Sequence, residues 1–502
     1  MRNNSIFQYS CSLRARKLDW VEAKKLVLDV AQKCTPPFDE AEALNCLQSA
    51  WKYSPAYSLT DLGNAQRFVF HFEEDILFVY AFNKWLVWDT NKWNLDEDGR
   101  IFIFAKQICE FIKAESQNNS DAKIQKALIK HAKNSESLRA IKALLELAKT
   151  EESIPISHEI LDKNPWLINC KNGVIDLHTG EIRSPTKSDL ITKSLLVTYD
   201  KDATYPTWKK FLFEITQGDK DLVNFLKRAI GYTLTGLTTE HCIFFMYGIG
   251  RNGKSTFIEV LLHLFGDYQK KAPAEMLMSK PFQSIPNDIA RLTRCRLAVS
   301  SELEQDRKFN ESLIKDLTGG DKITARFMRG EWFDFEPTHK LWIYGNHKPT
   351  IKGTDEGIWA RIKLIPFKAY FSEKQQDKNL LNKLLQELPG ILNWAIEGCQ
   401  DWQKQGLGFP QAVIDATDGY RTEMDHIASF INERCITGER NEKTKSSELF
   451  LAYQAWCDFN DEDSESHRMF GLKLSEKGYE KKKSGNGTFY FGIRLKSINY
   501  DF

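Results

Sequence analysis

The chain has 502 residues, 42% of them hydrophobic and 27% charged, a balance that excludes a disordered, collagenous or coiled-coil protein and predicts roughly three domains. Lysine plus arginine at 69 against aspartate plus glutamate at 68 leaves a net charge of +1, so a nucleic-acid surface has to be local and cannot be a coat. Apolar runs such as 76–82 fall far short of the roughly 20 residues of a membrane span, the amino terminus lacks a signal-peptide core, and ten cysteines without a CxxC pair and ten histidines without HExxH spacing speak against structural zinc or a disulfide framework. The expectation is an intracellular, cytoplasmic protein with reduced thiols.

Residues 18–32 carry apolar side chains at helical spacing, and Pro36-Pro37 ends that helix. A second amphipathic helix runs from Asp39 to about Tyr53. From Thr60 to Trp93 the texture becomes strand-like: RFVFHF, ILFVYAF and KWLVWD read as antiparallel strands. Residues 100–149 read as helix with a polar break at 117–121. Asn172-Gly173 and Thr179-Gly180 mark turns around a short strand at 174–177. Tyr205-Pro206 marks a boundary, followed by helices at 208–215 and 221–234. Between Cys242 and Phe371, β-branched runs alternate with helical ones, the pattern of an α/β sheet. Residues 375–405 return to helix. Residues 447–459 and 468–477 then form two helices, followed by a hairpin over 479–495 with an Asn-Gly turn within 484–487.

The sharpest motif is GIGRNGKST at 248–256, which fits G-x-x-x-x-G-K-[ST] and lies between an apolar strand at 242–247 and an amphipathic stretch at 257–265. It makes Gly248, Ile249, Gly250, Arg251, Asn252, Gly253, Lys254, Ser255 and Thr256 candidates for binding ATP. The glycines let backbone amides turn toward phosphate oxygens, Lys254 reaches the β- and γ-phosphates, and the Ser255 hydroxyl can ligate Mg²⁺. The helix that follows adds its positive amino end. The strand at 296–301 runs into Glu302 and is expected beside the P-loop strand, where a carboxylate orients the attacking water and binds the metal through its water shell. Glu304 is a second candidate, and a solvated acidic loop is the alternative for both. A third strand, 340–345, ends at Asn346, whose amide can hold the γ-phosphate or the lytic water; taken alone, it reads as a turn residue.

Loop, acid and asparagine in this order resemble superfamily 3 helicases, the hexameric AAA+ motors of viruses, phages and plasmids. IKDLTGGD at 314–321 followed by ITAR at 323–326 resembles that superfamily's additional motif, and GIWAR at 357–361 followed by LIPF at 364–367 resembles its arginine-finger segment. More narrowly, the chain is similar to the helicase half of phage/plasmid and poxvirus primase-helicases through TDLGNA at 60–65, WLVW at 85–88 and NGVIDL at 172–177. The amino-terminal helices, with Arg2-Asn3, Pro36-Pro37 and SAWKY at 49–53, resemble the small helical module that follows the polymerising domain of primase-polymerases. No catalytic primase domain precedes them in this sequence, so the chain is expected to be the motor part of a longer protein or to work beside a separate primase.

The resemblance implies a multidomain α/β and α+β protein built on an AAA+ P-loop core. Its expected domains are a helical module at 1–57, an α+β domain at 58–204, the ATPase at 205–375, a helical connector at 376–430 and a winged-helix-like DNA-binding domain at 431–502. It implies ATP and Mg²⁺ as cofactors, and an ATP-hydrolysing DNA helicase moving 3′ to 5′ in phage, plasmid or viral replication, in the cytoplasm of a host cell. Partners would be single-stranded and forked DNA, further copies of the chain in a hexamer, and a primase in cis or trans. Lys254, Glu302 and Asn346 serve one subunit's nucleotide, and Arg361 serves the next subunit's. The pattern departs from the family at Ala360, where many relatives carry a second arginine, and at Ser301, which leaves Glu302 as the single acid.

In superfamily 3 rings a hairpin at the place of 323–335 grips DNA in the channel. Lys322, Arg326 and Arg329 can neutralise phosphates there, while Phe327 can stack on a base or pack in the core. Lys473, Lys477, Lys481, Lys482 and Lys483 are candidates for duplex contact by the carboxyl-terminal module, for which a solvated basic face or a protein-docking surface reads equally well. Two rivals remain. A small-molecule P-loop kinase leaves the hairpin, the finger segment and the terminal module unexplained. An origin-recognition or assembly protein that holds ATP as a structural ligand is opposed by Glu302, and DNA-stimulated turnover would decide.

Overall fold

The computed structural model describes residues 5–7, 9–10, 13, 20–34, 37–52 (side chains only to 49), 57–117, 119–279, 287–301, 307–328, 330–351, 356–438, 442–460, 462–485 and 487–496. Glu302, Glu304 and Arg329, and with them the Asn486 turn residue, Arg2-Asn3 and Pro36, lie outside the described residues. By contact density the chain divides into a unit of residues 1–88 and 94–158 and a unit of residues 89–93 and 159–502. Among the described residues no helix is long and apolar enough to cross a membrane, and the cysteines are free thiols.

The first unit opens with helices α1 (Trp20–Lys33) and α2 (Glu40–Lys52), which bury Ala23, Val27, Ala31, Ala43 and Leu47 against one another. Here RFVFHF proves not to be a strand. It belongs to α3 (Asp61–Phe72), and the physical reason sits just upstream. Thr60 caps the helix by accepting the Gly63 amide, so Ala65, Phe68 and Val69 fall on one buried face although every second residue of the run is apolar. Strands β1 (Ile76–Val79) and β2 (Lys84–Trp88) do form the expected antiparallel hairpin. Helices α4 (Arg100–Gln117), α5 (Ala122–Ser135) and α6 (Leu138–Ala148) complete this core; the second break comes at Ser137, which caps α6. Buried Arg67 of α3 donates to both carboxylate oxygens of Glu115, at 2.8 and 2.9 Å. Asn64 donates to Ser135 at 2.9 Å and faces His131 at 2.9 Å.

In the second unit, β3 (Leu167–Cys170), β4 (Gly173–Asp176) and β5 (Ile182–Arg183) form a small antiparallel sheet. Helices α7 (Pro206–Ile215) and α8 (Lys220–Leu234) lead into a five-stranded parallel sheet. Its strands are β6 (Ile243–Tyr247), β7 (Gln269–Lys271), β8 (Leu297–Ser301), β11 (Lys340–Gly345) and β12 (Ile362–Pro366). Between β8 and β11 the chain makes helix α10 (Glu311–Thr318) and an antiparallel hairpin, β9 (Ile323–Arg326) with β10 (Trp332–Phe335). The order across the sheet is β12-β6-β11-β8-β7. The strand that runs into Glu302 is therefore not the neighbour of the P-loop strand. β11 lies between them and pairs with both, because chain order and sheet order differ when helices carry the chain from one parallel strand to another.

The amino edge of this sheet is pinned by two buried cations. Arg296, just ahead of β8, donates to the Leu234, Leu167 and Asn164 carbonyls. Lys340, the first residue of β11, donates to Thr235, Leu237 and Thr338 carbonyls. Leu234 and Thr235 end α8, where the helix dipole is negative. Burial depresses both cations' pKa values, and the carbonyls replace the lost water.

One face of the sheet carries α9 (Lys254–Phe265), α8 and α12 (Leu388–Gln405), which share a core built around Trp208, Phe257, Phe244 and Trp342. Trp342 stacks on Phe244 with centroids 4.5 Å apart. Helices α8 and α12 touch backbone to backbone: a Cβ at Gly398 would lie 2.1 Å from the Lys227 carbonyl oxygen, and one at Gly231 would lie 2.0 Å from the Cys399 nitrogen. Helix α11 (Leu380–Gln386) packs at the end of this layer. The other face holds Ile314, Leu317, Ile358, Trp359 and Tyr420 of α13 (Gln411–Glu423). Past α14 (His426–Arg434), a separate core joins α15 (Ser446–Phe459) and α16 (His467–Glu476). Its strands are β13 (Cys435–Thr437), β14 (Lys443–Lys445), β15 (Lys481–Ser484), β16 (Gly487–Phe491) and β17 (Ile493–Leu495). The long last strand of the expected hairpin is broken at Gly492, whose φ is +80°, so β16 pairs with β14 and β15 while β17 pairs with β13.

Candidate active site

The loop 248–253 leaves the carboxyl end of β6 and enters α9, the strand–loop–helix order its sequence predicts. Its path needs positive-φ backbone at three residues: Gly250 at φ +98°, Arg251 at +50° and Gly253 at +88°. Gly248 has no room for a side chain, since a Cβ there would lie 2.3 Å from the Phe367 carbonyl oxygen. Gly253 is the N-cap of α9 and offers no side chain to its amides, so the first-turn N–H groups of the helix stay open to an anion.

Lys254 is 4% exposed. Its ammonium donates to the Gly248 carbonyl at 2.6 Å, Asn252 Oδ1 at 3.1 Å and Asn346 Oδ1 at 3.2 Å. Buried Asn252 in turn donates to the Phe367 carbonyl at 3.1 Å, tying the loop to the end of β12. The Asn346 bond is long-range. β6 and β11 are parallel neighbours with Gly345 opposite Tyr247, so the residue after each strand meets the other at the carboxyl edge. β8 ends at Ser301 on that same edge, Ser301 being opposite Tyr344, and Glu302 follows it in the chain.

These residues border a cavity of about 800 Å³, which residues 250–256 and 344–346 line on the sheet side. Ser255 is exposed toward it and Thr256 half-buried, whereas Ile249 is 94% exposed at the loop tip. The far wall was not legible in the sequence. It comes from α7 (Lys210, Phe211 and Glu214) and from residues 371–383 (Phe371, Lys378 and Lys383). Glu387, just ahead of α12, joins the two parts of this far wall by accepting the Thr207 and Trp208 amides at 2.9 Å each, a carboxylate at a helix amino terminus. Arg251 is held toward this wall by Glu373 at 3.2 Å. Open amides, a buried ammonium among neutral oxygens and an exposed Ser255 fit a nucleotide triphosphate with Mg²⁺ in both shape and chemistry.

Arg361 is elsewhere. It precedes β12, whose first residue lies opposite Ile243, the first residue of β6. It therefore sits at the amino edge of the sheet, a full five-residue strand or roughly 16 Å from the P-loop edge. Its guanidinium donates to Thr318 Oγ1 at 3.0 Å and the Gly357 carbonyl at 2.7 Å.

On the β9–β10 hairpin the Arg326 guanidinium lies 4.7 Å from the Trp332 ring centroid. Phe327 is not a core residue: it is 38% exposed, stacked on Phe333 with centroids 5.4 Å apart, and flanked by exposed Met328 and Trp332. Lys322 lies 3.8 Å from Glu159. In the terminal module Lys473 pairs with Glu465 at 2.7 Å and Lys477 with Asp425, while Lys481, Lys482 and Lys483 are exposed on β15.

Four family models match successive segments of the chain. Residues 1–56 match the primase C terminal 1 family, residues 65–217 the D5 N terminal like family, residues 246–361 a family of unknown function, and residues 422–492 the poxvirus D5 protein-like family. A protein of Acanthamoeba polyphaga mimivirus that bears the name helicase is 28% identical over 324 residues, 60% of this chain and 34% of the relative. One from Invertebrate iridescent virus 6, also named a helicase, is 27% identical over 64% of this chain and 37% of its own length. An African swine fever virus protein named a primase is 24% identical over 60% of this chain and 34% of its own. The chain thus spans about a third of the length of these curated relatives. The solved apo structure of the NrS-1 C terminal region superposes with a TM-score of 0.46 at 10% identity, covering 84% of this chain and 96% of that one. A segment similar to the primase C terminal 1 family, one similar to the D5 N terminal like family and one similar to the poxvirus D5 protein-like family thus lie in that order around the P-loop segment, and together with the relatives named helicase and primase they make the chain similar to primase-helicases of the D5 type.

Proposed function

We propose that the chain is the motor of an ATP-hydrolysing DNA helicase of the superfamily 3, AAA+ type, working as a ring at replicating DNA in a host cytoplasm, beside a primase in cis or trans. The observation that carries this is the meeting of Lys254 and Asn346 at 3.2 Å across two parallel strands, which brings two separated motifs to one cavity.

Phosphoryl transfer asks a protein mainly for positioning and charge. Here the amides of 250–256 and the start of α9 bind phosphates, Lys254 lies between β- and γ-phosphate oxygens, and Asn346 orients the terminal group. Ser255 would hold Mg²⁺ and Glu302 would act on its water shell, the ion when bound supplying charge neutralisation at the phosphates. Glu302 accepts a proton from the attacking water. Arg361, a strand's length from its own P-loop, serves the nucleotide of a neighbouring subunit, which supports a ring, here a hexamer. Lys322, Arg326 and Arg329 contact single-stranded DNA in the channel, and travel is 3′ to 5′, as in the family. Lys473, Lys477, Lys481 and Lys483 contact duplex at the fork.

Phosphate release and strand separation, measured together on forked DNA carrying either a 3′ or a 5′ tail, test the proposal. Lys254→Ala should lose both activities with its fold intact, and Glu302→Gln should bind ATP yet hydrolyse it poorly. Wild-type turnover in Lys254→Ala would refute the site. DNA-stimulated turnover without unwinding on either tail would favour an origin-recognition or assembly role.

A further inference from the structure

The terminal three-stranded sheet carries a face that the basic-wing expectation overlooks. Side chains alternate along β16. Tyr490 is 0% exposed in the module's core, so Phe489 and Phe491 stand on the opposite side, half-buried. The register places Lys443 opposite Phe491, Lys445 opposite Phe489 and, on the other neighbour, Lys482 opposite Phe489. Directly opposed residues of antiparallel strands share a face. Two rings and three exposed ammonium groups thus occupy one surface. Lys443 Nζ lies 5.1 Å from the Phe489 centroid and Lys482 Nζ 5.7 Å from that of Phe491. Gly487 keeps the surface low: a Cβ there would lie 3.1 Å from the Phe489 ring. Glu480, paired with Lys482 at 2.7 Å, is a carboxylate at the edge.

Three lysines against one carboxylate select an anionic partner, and two rings a strand repeat of about 6.7 Å apart select one with flat apolar groups at regular intervals. An unpaired polynucleotide has both. A duplex has only the charge, because its bases are already covered by their stacking neighbours. Apart from Lys482, the basic-wing residues do not share this face: Lys481 and Lys483 lie opposite Tyr490 and Thr488, and Lys473 and Lys477 are engaged by Glu465 and Asp425.

We propose that this face is a single-stranded DNA platform on which Phe489 and Phe491 stack successive bases while Lys443, Lys445 and Lys482 neutralise the flanking phosphates. It deepens the DNA-acting function proposed above, but it needs no nucleotide, so its test is separable from the motor's.

The experiment uses the full chain without ATP and a short oligo(dT) that is fluorescent for anisotropy and carries 5-iododeoxyuridine for photo-cross-linking. Cross-links should map to Phe489 or Phe491. Phe489→Leu with Phe491→Leu should remove those cross-links and weaken binding about tenfold or more with an unchanged salt slope, since stacking is lost and charge kept. Lys443→Gln with Lys445→Gln and Lys482→Gln should lower the salt slope by about two. Unchanged circular dichroism and ATP hydrolysis by each variant show that it is folded. Cross-links confined to other peptides, such as 323–335, or an unlabelled duplex competing as well as the single strand, would overturn the proposal, whatever the outcome for ATP-driven unwinding.

Discussion

His339 shows how one buried side chain makes stability depend on pH. Burial and the adjacent Lys340 ammonium push its pKa down to about 3, whereas an unfolded histidine titrates near pH 6.5. The native imidazole is therefore neutral where the unfolded one begins to bind a proton. Its contribution to stability is complete above about pH 6.5 and is lost as pH falls from there toward 3, by up to ~1.4 kcal/mol per pH unit. His339→Gln should show a shallower loss than the wild type between pH 6.5 and 4.5 in urea unfolding; identical slopes would show that His339 does not titrate this way. At this scale the P-loop was fully legible, because its residues are contiguous and a fixed pattern of glycines dictates a fixed backbone. Asn346 was legible only by its order after the loop. Lys210 and Phe371 were invisible, since they reach the cavity from distant segments with no local pattern to mark them.

Among the elements, α3 is the instructive miss. RFVFHF alternates like a strand, but the Thr60 cap and the buried polar positions Asn64 and Arg67, each with a side-chain partner, decide for helix. A capping residue three positions ahead of Gly63 was the available signal. The TDLGNA segment at 60–65 is thus explained largely by packing: Gly63 has no room for a Cβ, which would lie 2.0 Å from the Ser58 carbonyl oxygen. The α8–α12 pair makes a matching prediction. Gly398→Ala puts a methyl against the Lys227 carbonyl, and the two backbones must part. The expected loss is about 1–3 kcal/mol, read as a lower urea midpoint with unchanged slope, whereas the same change at Gly419, where nothing lies within 4 Å, should be neutral or stabilising.

For the molecule as a whole, the P-loop and Arg361 lie at opposite edges of one sheet, which motivates a test across subunits. A finger supplied in trans contributes about 10³ to 10⁵ in rate. Arg361→Ala should bind nucleotide but turn over slowly by a comparable factor, and mixing it with Lys254→Ala should restore part of the activity, because one interface then pairs an intact loop with an intact arginine. Failure to complement in demonstrably mixed assemblies would remove Arg361 from that role. The succession of elements was legible along most of the chain, but the sheet order was not: helical crossovers allow β11 to slip between β6 and β8, and no residue pattern records which strand takes the middle.

The backbone contact at Gly231 and Gly398 also says where the second unit can bend. Helices that meet only through interlocked side chains slide by repacking them, but where α8 and α12 cross at Gly231 and Gly398 no Cβ fits between their backbones, which makes the pair one stiff beam. α13 is fastened in turn, with the Thr417 hydroxyl accepting the Leu364 amide and the Tyr420 hydroxyl donating to the Pro349 carbonyl. The first joint after this beam is Met424-Asp425, between the end of α13 and the start of α14. A swing of the terminal module would turn about those two residues, with the Lys477–Asp425 ion pair as its catch.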